Sequence, residues 1–406
     1  MNFLPGTKAS RESDLLLGNV NNKRDYIILT AWTCGYTRRW RRSLRNITLV
    51  LMYILSNLTG NVTFPLLSKR FKAIGSDSFV FIFYTVVIAS ILIFILVIFS
   101  KRFVDKTISL TLASSAKMVL ANALASVFSF ILIVYASPPS RTPPYLQSIL
   151  FVTVIPLTVV CRVFLLRKGV SFGRGICCCV VVVGLFISSE PQIWGLNTQQ
   201  KGFNTSGSPT ERISWPLCYT LGLFPFVLVN VTCEKELVKK NSDALNFIMW
   251  SQSAQIIMMT TLLWTDFIPG FGMTSNVSEF KEHAKQGIIC LYSVHVNCRS
   301  TLVRSWIFIS AFTIGTISQY LLIQSSDGAI FVAIVQAVAS PLATLFWTLF
   351  DYNEAEDSIR WNPVFNEMTA FCLCGLALMF PGVILYKNFT SQEEKSEQEN
   401  LLDMLK

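Results

Sequence analysis

The sequence predicts an all-α membrane protein in which about ten transmembrane helices form two inverted five-helix repeats. Composition is the first observation behind this fold class, because 52% of the 406 residues are hydrophobic, only 14% are charged and the mean hydropathy is +0.50. A soluble domain of this length carries more charge. The second observation is that apolar runs long enough to span a bilayer recur along the chain. The third is that the two halves of the chain resemble each other.

Ten apolar runs are candidate spans, because each comes close to the roughly 20 residues that a helix needs to cross the hydrocarbon core. In the first half they lie at about 47–67, 79–100, 117–136, 145–166 and 174–189. In the second half they lie at about 213–233, 245–265, 305–324, 329–350 and 365–387. These runs define an N-terminal tail at 1–45, a first repeat at 46–190, a loop at 191–212, a second repeat at 213–387 with a long loop at 269–303, and a C-terminal tail at 388–406.

Basic residues in the short loops predict the orientation, because Lys and Arg stay on the cytoplasmic side of a membrane. They cluster before the first span and after spans two, four and six, for example at Lys101, Arg167 and Lys235. We therefore expect both termini in the cytosol. Two glycosylation sequons begin at Asn204 and Asn276, in loops that this orientation places in the lumen, and we expect both to carry sugar.

Two sequence matches between the halves predict an internal repeat. Asn61-Val62-Thr63 in span one recurs as Asn230-Val231-Thr232 in span six. Residues 127–157 align without gaps on residues 312–342 at a constant offset of 185, which pairs Tyr135 with Tyr320. An odd number of helices in each repeat means that the second copy is inverted, and carriers built in this way bind solute where the repeats meet.

Polar side chains within the spans predict a neutral polar cavity, because an amide or hydroxyl in hydrocarbon needs a partner and tends to face the bundle interior. Mid-span proline frees a backbone carbonyl and tends to line a cavity. For each residue the alternative is a hydrogen bond between helices, or a packed kink, that only holds the fold. The candidate cavity residues are Asn57, Asn61, Thr63, Asn122, Ser126, Gln147, Thr153, Pro156, Asn230, Thr232, Gln252, Gln319, Gln336, Ser340 and Pro341.

Charged residues are scarce at membrane depth. Proton coupling needs a group that titrates during transport, and Glu234, Asp266 and Glu367 are the acidic candidates, although each can instead solvate a helix end. No Lys or Arg falls in the middle of a span, whereas a carrier of phosphate-bearing solutes is expected to hold a deep cation.

These residues resemble those of the chloroquine-resistance-transporter-like (CRT-like) family, within the drug/metabolite transporter superfamily. The most specific part runs from Gln147-Ser148 and Ile155-Pro156 through the basic turn at Arg167-Lys168. Glu190 after span five and Asn230-Val231-Thr232 with Glu234 in span six continue the similarity. Residues 287–291 resemble the start of the family's long cysteine-bearing lumenal loop.

The resemblance implies ten helices in two inverted repeats around a central cavity, which is the drug/metabolite transporter fold. It also implies transport of small solutes out of acidic vacuoles or, in plants, of thiol peptides across plastid membranes. The malarial type of loop has more cysteines than the Cys290 and Cys298 found here, so a single disulfide is expected in this loop.

From the sequence we therefore expect a secondary carrier that moves peptides, amino acids, glutathione-like thiols or organic cations from an acidic lumen to the cytosol, coupled to protons. One alternative is a nucleotide-sugar carrier, and another is a membrane receptor or scaffold that transports nothing.

We expect neither an enzyme nor a cofactor, because no nucleotide-binding or metal-binding motif is present. The Gly-x-Ser-x-Gly match at 169–173 lies in a basic turn between spans rather than after a strand. Expected partners are the solute and membrane lipid, with no nucleic acid.

Two short signals predict the location of the protein. An acidic residue four places before two leucines resembles the dileucine signal that sorting adaptors read, although such a pattern also arises by chance in polar tails. It occurs in both tails assigned to the cytosol, at Glu12, Leu16 and Leu17 and again at Glu397, Leu401 and Leu402. We therefore expect an integral protein of the lysosomal, endosomal or vacuolar membrane.

Overall fold

The computed structural model shows a helical protein. It describes residues 44–404 apart from short gaps at 69, 72–75, 77, 104–108, 139–140, 143–146, 148–149, 168, 194–208, 238–242, 273, 293–297, 299–300, 326–327, 354–357, 364 and 366. The described residues from Val50 onward form one compact unit.

The first five helices follow the five apolar runs of the first half. They are α1 (Leu44–Ser68), α2 (Ser78–Phe103), α3 (Ala116–Ala136), α4 (Val154–Leu166) and α5 (Phe172–Ile193). A turn at Thr153 separates α4 from one further helical turn, so that the apolar segment as a whole runs from Leu150 to Leu166. Arg167 ends α4 in the left-handed conformation, with φ of 55°.

The remaining helices cover the second half of the chain. They are α6 (Pro209–Leu237), α7 (Ala244–Thr261), α8 (Val277–Leu291), α9 (Thr301–Ser325), α10 (Ala329–Leu349) and α11 (Glu367–Met404). A short 3-10 helix (Leu263–Phe267) follows α7. Each of the ten apolar runs named from the sequence overlaps a helix. In the described part of the chain, seven helices are long and apolar enough to cross a membrane, and those at Leu150–Leu166 and Phe172–Ser188 are shorter but apolar.

The structure adds three local features to the sequence-based expectation. Residues 269–303 were expected to be a loop, but they contain α8, an amphipathic helix whose first turn is capped by the Asn276 side chain. Residues 388–406 were expected to be a tail, but α11 continues without a break to Met404. An antiparallel hairpin of β1 (Phe350–Asn353) and β2 (Ser358–Trp361) joins α10 to α11 within the all-α fold.

Small residues allow close helix packing at two interfaces. Helix α5 packs along α11, where Gly184 and Gly375 face each other so closely that a methyl group on either would meet the backbone carbonyl of the other. Helix α3 packs along α6, where a methyl group on Gly222 would lie 2.8 Å from the Ile133 side chain. In lipid, helices associate through such close contacts rather than through the hydrophobic effect. Helix α3 also contacts α7, and α9 contacts α2, α6 and α7, which places α3, α6 and α9 side by side.

Candidate solute-binding site

A buried polar cluster joins α3, α6 and α9. The side chain of Asn122 on α3 is fully buried, and its Nδ2 donates a hydrogen bond to the Tyr320 hydroxyl of α9 at 2.7 Å. Its Oδ1 accepts a hydrogen bond from the Cys233 thiol of α6 at 3.7 Å. It also lies 3.3 Å from the Thr232 hydroxyl of α6, which donates at the shorter distance of 2.7 Å to the Leu228 carbonyl of its own helix. We call these four residues the Asn122 cluster. One amide therefore connects a helix of the first half to two helices of the second half.

A second polar contact lies two residues before Thr232 on α6. The Oδ1 atom of Asn230, whose side chain is fully buried, accepts a short hydrogen bond from Gln319 Nε2 of α9. Gln319 itself is only partly buried, and it directly precedes Tyr320 of the Asn122 cluster. Within the described part of the chain, Asn230 Nδ2 has no hydrogen-bond partner.

A buried ion pair lies one turn further along α6. The Nε atom of Arg162 on α4 pairs with Glu234 Oε1 at 2.9 Å, and the two side chains are 8% and 2% exposed. Glu234 Oε2 accepts a hydrogen bond from the Ala329 backbone N–H, which is the first of α10, at 2.9 Å. Gly328 has φ of 81°, and a side chain there would meet the Glu234 carboxylate at 2.5 Å. The carboxylate therefore both neutralises Arg162 and caps α10.

A third polar group belongs to a different end of the bundle. Asp266, fully buried in the 3-10 helix after α7, accepts hydrogen bonds from the Tyr135 hydroxyl of α3 at 2.8 Å and from the Thr274 hydroxyl at 2.7 Å. The nearby Arg141 guanidinium lies 3.9 Å from the centre of the Trp215 ring and donates to the Tyr135 backbone carbonyl. These contacts tie the end of α3 to the segment after α7 and to the start of α6.

The other candidate cavity residues are scattered through the bundle. Gln336 of α10 accepts a hydrogen bond from the buried Tyr53 hydroxyl at 3.2 Å, and Asn57 donates to the Tyr53 backbone carbonyl. Gln252 is buried on α7, and its Oε1 has no partner among the described residues. Exposed positions are Asn61, Thr153 and Pro156, half-buried positions are Thr63, Ser126 and Ser340, and Pro341 is buried.

Several candidates have local contacts instead of contacts across helices. The Thr63 and Thr153 hydroxyls donate to the backbone carbonyls of Thr59 and Leu150. Gln147 Nε2 donates to the carbonyls of Ser137 and Thr142, so it organises the connection between α3 and α4. Among the acidic candidates, Glu367 is exposed in the first turn of α11.

The loop that contains α8 holds the modification candidates. Cys290 and Cys298 form a disulfide, with their Cα atoms 5.2 Å apart. Asn276 is exposed, and its Oδ1 accepts the Glu279 backbone N–H as the cap of α8. Asn204, Glu12, Leu16 and Leu17 lie outside the described residues, and the second dileucine signal, Glu397, Leu401 and Leu402, lies on the helical backbone of α11.

The sequence alone did not indicate Tyr53, Cys233 and Tyr320 as members of the polar contacts. Tyr320 carried a usable signal, because it aligns with Tyr135 in the internal repeat and both hydroxyls bond a polar side chain of another helix. Cys233 resembles any small apolar residue of a span. Nor did the sequence indicate that Arg162, near the end of α4, is buried against Glu234.

An apolar groove of about 580 Å³ lies away from these polar groups. It runs along α5 and is lined by residues that include Phe172, Gly175, Cys179 and Leu378. Its lining is almost wholly apolar, which does not suit a polar solute.

Comparison with known proteins identifies the family. A crystal structure shares the fold with a TM-score of 0.53 at 12% sequence identity, over 86% of this chain and 98% of the other. No curated protein sequence matches the chain. The family model for CRT-like, chloroquine-resistance transporter-like proteins matches residues 47–386, which takes in α2 to α10 whole, most of α1 and the apolar part of α11. The chain is therefore a multi-span membrane protein that belongs to the CRT-like transporter family.

Proposed function

We propose that the protein is a secondary carrier that moves small polar solutes from the lumen of an acidic organelle to the cytosol, driven by the proton gradient. The solutes are peptides, amino acids, glutathione-like thiols or organic cations. In this proposal, ten helices form two inverted five-helix repeats, α1–α5 and α6, α7, α9, α10 and α11, which rock against each other around a central site.

The Asn122 cluster is the observation that supports this proposal most. Asn122 belongs to the first repeat, while Thr232, Cys233 and Tyr320 belong to the second, so their hydrogen bonds cross the boundary that rocking would open and close. Together with Asn230 and Gln319 they form a group of neutral donors and acceptors without a fixed charge. Such a group suits neutral and zwitterionic solutes.

Equivalent aromatic contacts support the inverted repeat. Tyr135, near the end of α3, stacks on Phe79 at the start of α2, with ring centroids 5.6 Å apart. Its counterpart Tyr320, near the end of α9, packs on Phe247 near the start of α7 at 5.9 Å. In each proposed repeat, an equivalent tyrosine near the end of the third helix thus packs on the first turn of the second helix.

For proton coupling, Asp266 is the candidate that we favour. Glu234 already forms an ion pair and caps α10, and Glu367 is exposed at a helix start. Asp266 accepts hydrogen bonds from two hydroxyls, one of them Tyr135 of the first repeat. Protonation would remove the charge that these hydroxyls stabilise, and so weaken a contact between the repeats. The Asp266→Asn variant is therefore expected to lose gradient-driven accumulation of solute but to retain solute exchange.

The buried charges argue against a nucleotide-sugar carrier. Among the described residues, Arg162 is the one basic side chain that is buried, and Glu234 neutralises it. A diphosphate carries two negative charges, so it would need more cations than this single guanidinium. Uptake of labelled UDP-sugars by vesicles that contain the protein would show that it does carry nucleotide sugars.

The proposed location follows from the two dileucine signals. Changing Leu16, Leu17, Leu401 and Leu402 to Ala is expected to send the protein to the cell surface. Retention of this quadruple variant in acidic vesicles would contradict the sorting mechanism, and loss of the glycan in Asn276→Gln would place α8 in the lumen.

Metabolite profiling tests the transport proposal and identifies the solute in the same experiment. Acidic organelles isolated from cells that lack the protein are expected to accumulate a small polar solute, and re-expression should restore its level. Unchanged metabolite content, followed by lack of any solute flux in proteoliposomes, would favour the receptor or scaffold alternative.

A further inference from the structure

Two buried hydrogen-bond donors on one face of α6 lack partners among the residues that the structure describes. They are Asn230 Nδ2, on α6 itself, and Nη1 of Arg162, whose guanidinium is held against α6 by Glu234. Asn230 and Glu234 are four residues apart, so they lie on the same helix face about one turn, or roughly 6 Å, from each other. A buried donor without an acceptor costs about 1–3 kcal/mol. Two such donors at neighbouring positions are available to an acceptor from outside the described residues.

Neighbouring contacts fix the orientation of both donors. Gln319 Nε2 donates to Asn230 Oδ1, so the Asn230 amide presents its Nδ2 atom rather than its oxygen. The Arg162 Nε atom donates to Glu234, whereas Nη1 of the same guanidinium has no acceptor among the described residues. Glu234 in turn is held by the Ala329 backbone N–H, so the ion pair is anchored to α10. The donors are therefore preorganised, which reduces the entropy cost of binding.

Gln319 is the partly exposed neighbour of these donors. Asn230 is fully buried and Arg162 is 7% exposed, whereas Gln319, which contacts Asn230 directly, is half-buried. A ligand that contacts Gln319 therefore lies next to the Asn230 amide. The Asn122 cluster, with Tyr320 adjacent to Gln319, forms the neighbouring wall.

We propose that Asn230 and Arg162 bind the carboxylate of the transported solute, with Gln319 as a positioning residue for the Asn230 amide. This inference rests on the proposed function, and it selects among the solutes named there. It favours amino acids, peptides and thiol peptides, all of which carry a carboxylate, over organic cations. Two N–H donors, one of them from a guanidinium, match the acceptor oxygens of a carboxylate, whereas a cationic amine offers no acceptor.

Ligand binding to the purified full-length protein in detergent tests the inference without depending on transport. Diglycine, which has a free carboxylate, and an alkylamine of the same length, which has no acceptor oxygen, are compared by ligand-dependent thermal shift. The wild-type protein is expected to bind diglycine at least about 10-fold more tightly than the amine. Equal binding, preference for the amine or binding of neither probe would overturn the inference. If the protein prefers the carboxylate probe in binding but shows no solute flux in proteoliposomes, only the proposed carrier function would be contradicted.

Substitutions distinguish a binding role from a structural one. Asn230→Asp keeps the size of the side chain and an acceptor for Gln319, but it replaces the free donor by a carboxylate oxygen. Diglycine affinity is therefore expected to fall by about 10- to 100-fold, while binding of the amine is kept or rises. Gln319→Leu should weaken diglycine binding less than Asn230→Asp does. Thr316→Val is the matched control on α9, because that hydroxyl bonds only its own helix at Phe312. Equal losses for both probes in Asn230→Asp would show that Asn230 only holds the fold.

Discussion

The Asn122 side-chain amide donates a hydrogen bond to the Tyr320 hydroxyl at 2.7 Å, although the two residues are 198 positions apart in the sequence. This bond ties α3 to α9 in the buried centre of the bundle. It also explains why two polar side chains are tolerated within apolar helices, because each satisfies the other.

Replacing Asn122 by Leu should destabilise the protein by roughly 1–2 kcal/mol, because Tyr320 and Cys233 each lose a hydrogen-bond partner at a buried position. Chemical unfolding in detergent measures the change. Thr316→Val, which removes a hydroxyl bonded only within α9, should change the stability by far less. Equal effects of the two substitutions would show that the cluster contributes no more than an ordinary polar side chain.

Breaking the Arg162–Glu234 pair from one side should cost about 3–5 kcal/mol, because a buried carboxylate is left without its cation. Arg162→Met is the single variant. Adding Glu234→Gln removes the stranded charge but keeps an acceptor for the Ala329 N–H, so the double variant should be more stable than Arg162→Met. Lys285→Gln, at the exposed Glu282–Lys285 pair, is the control, and it should change stability by less than about 0.5 kcal/mol.

Gly328→Ala should destabilise the start of α10 strongly, for two reasons that act together. The residue has φ of 81°, which disfavours any side chain with a Cβ atom, and that atom would lie 2.5 Å from the Glu234 carboxylate. Gly60→Ala is the control, because Gly60 lies within α1 with no neighbour in reach of an added methyl group. Thermal unfolding of the two variants should differ clearly, and a wild-type unfolding temperature for Gly328→Ala would contradict the described capping of α10.

Loss of the Cys290–Cys298 disulfide should destabilise the loop around α8 rather than the bundle. The bond closes a sequence separation of only 8 residues beside the end of that helix, and both sulfur atoms are buried. Cys290→Ser with Cys298→Ser should therefore raise hydrogen exchange in α8 and leave α3 and α6 protected. Cys374→Ser, at an exposed free thiol, is the control. Recovery of both thiols as alkylated in a sample that was never reduced would show that the bond does not form.

The start of α8 should loosen in acid. Hydrogen bonds from the Ser275 hydroxyl and backbone N–H to the Glu279 carboxylate lower the pKa of Glu279 below its ordinary value of 4.5. A carboxylate with a lowered pKa in the folded state stabilises it above the ordinary pKa, and that stabilisation is lost as the pH falls through the lowered value. Hydrogen exchange of residues 277–280 should therefore rise below about pH 4.5 in the wild-type protein. In Glu279→Gln the exchange rate, corrected for intrinsic chemistry, should not depend on pH in this window.

The sequence predicted those helices that form because of the residues within them. Each of the ten long apolar runs overlaps a helix, and seven helices of the described residues are long and apolar enough to cross a membrane, because burial in lipid favours a helix wherever about 20 apolar residues occur together. Helix α8 was missed because its charged residues, such as Lys281 and Glu282, made the segment resemble a polar loop. The amphipathic spacing of Phe280, Gly287 and Leu291 was the signal that could have found it.

Partners that are distant in sequence could not be predicted in the same way. Asn122, Asn230, Gln319 and Glu234 were recognised as polar groups that need an explanation, but the pairing of Glu234 with Arg162 depends on how α4 and α6 pack. The internal repeat was the exception, because it carried long-range information in the sequence itself. It singled out Asn230 and the position of Tyr320, and both lie in the polar contacts of the bundle.

Solute flux in proteoliposomes tests the carrier proposal most directly. The flux is compared between the wild-type protein and the double variant Asn61→Ala with Asn230→Ala. The two residues occupy equivalent places in the proposed repeats, and Asn230 lies among the buried polar contacts of α6 and α9. With the solute found by metabolite profiling, the wild-type protein should show saturable flux, and the double variant should lose most of it at equal protein content and folding. Unchanged flux in the double variant would contradict the assignment of the central site, and absence of flux in the wild-type protein would contradict the carrier function.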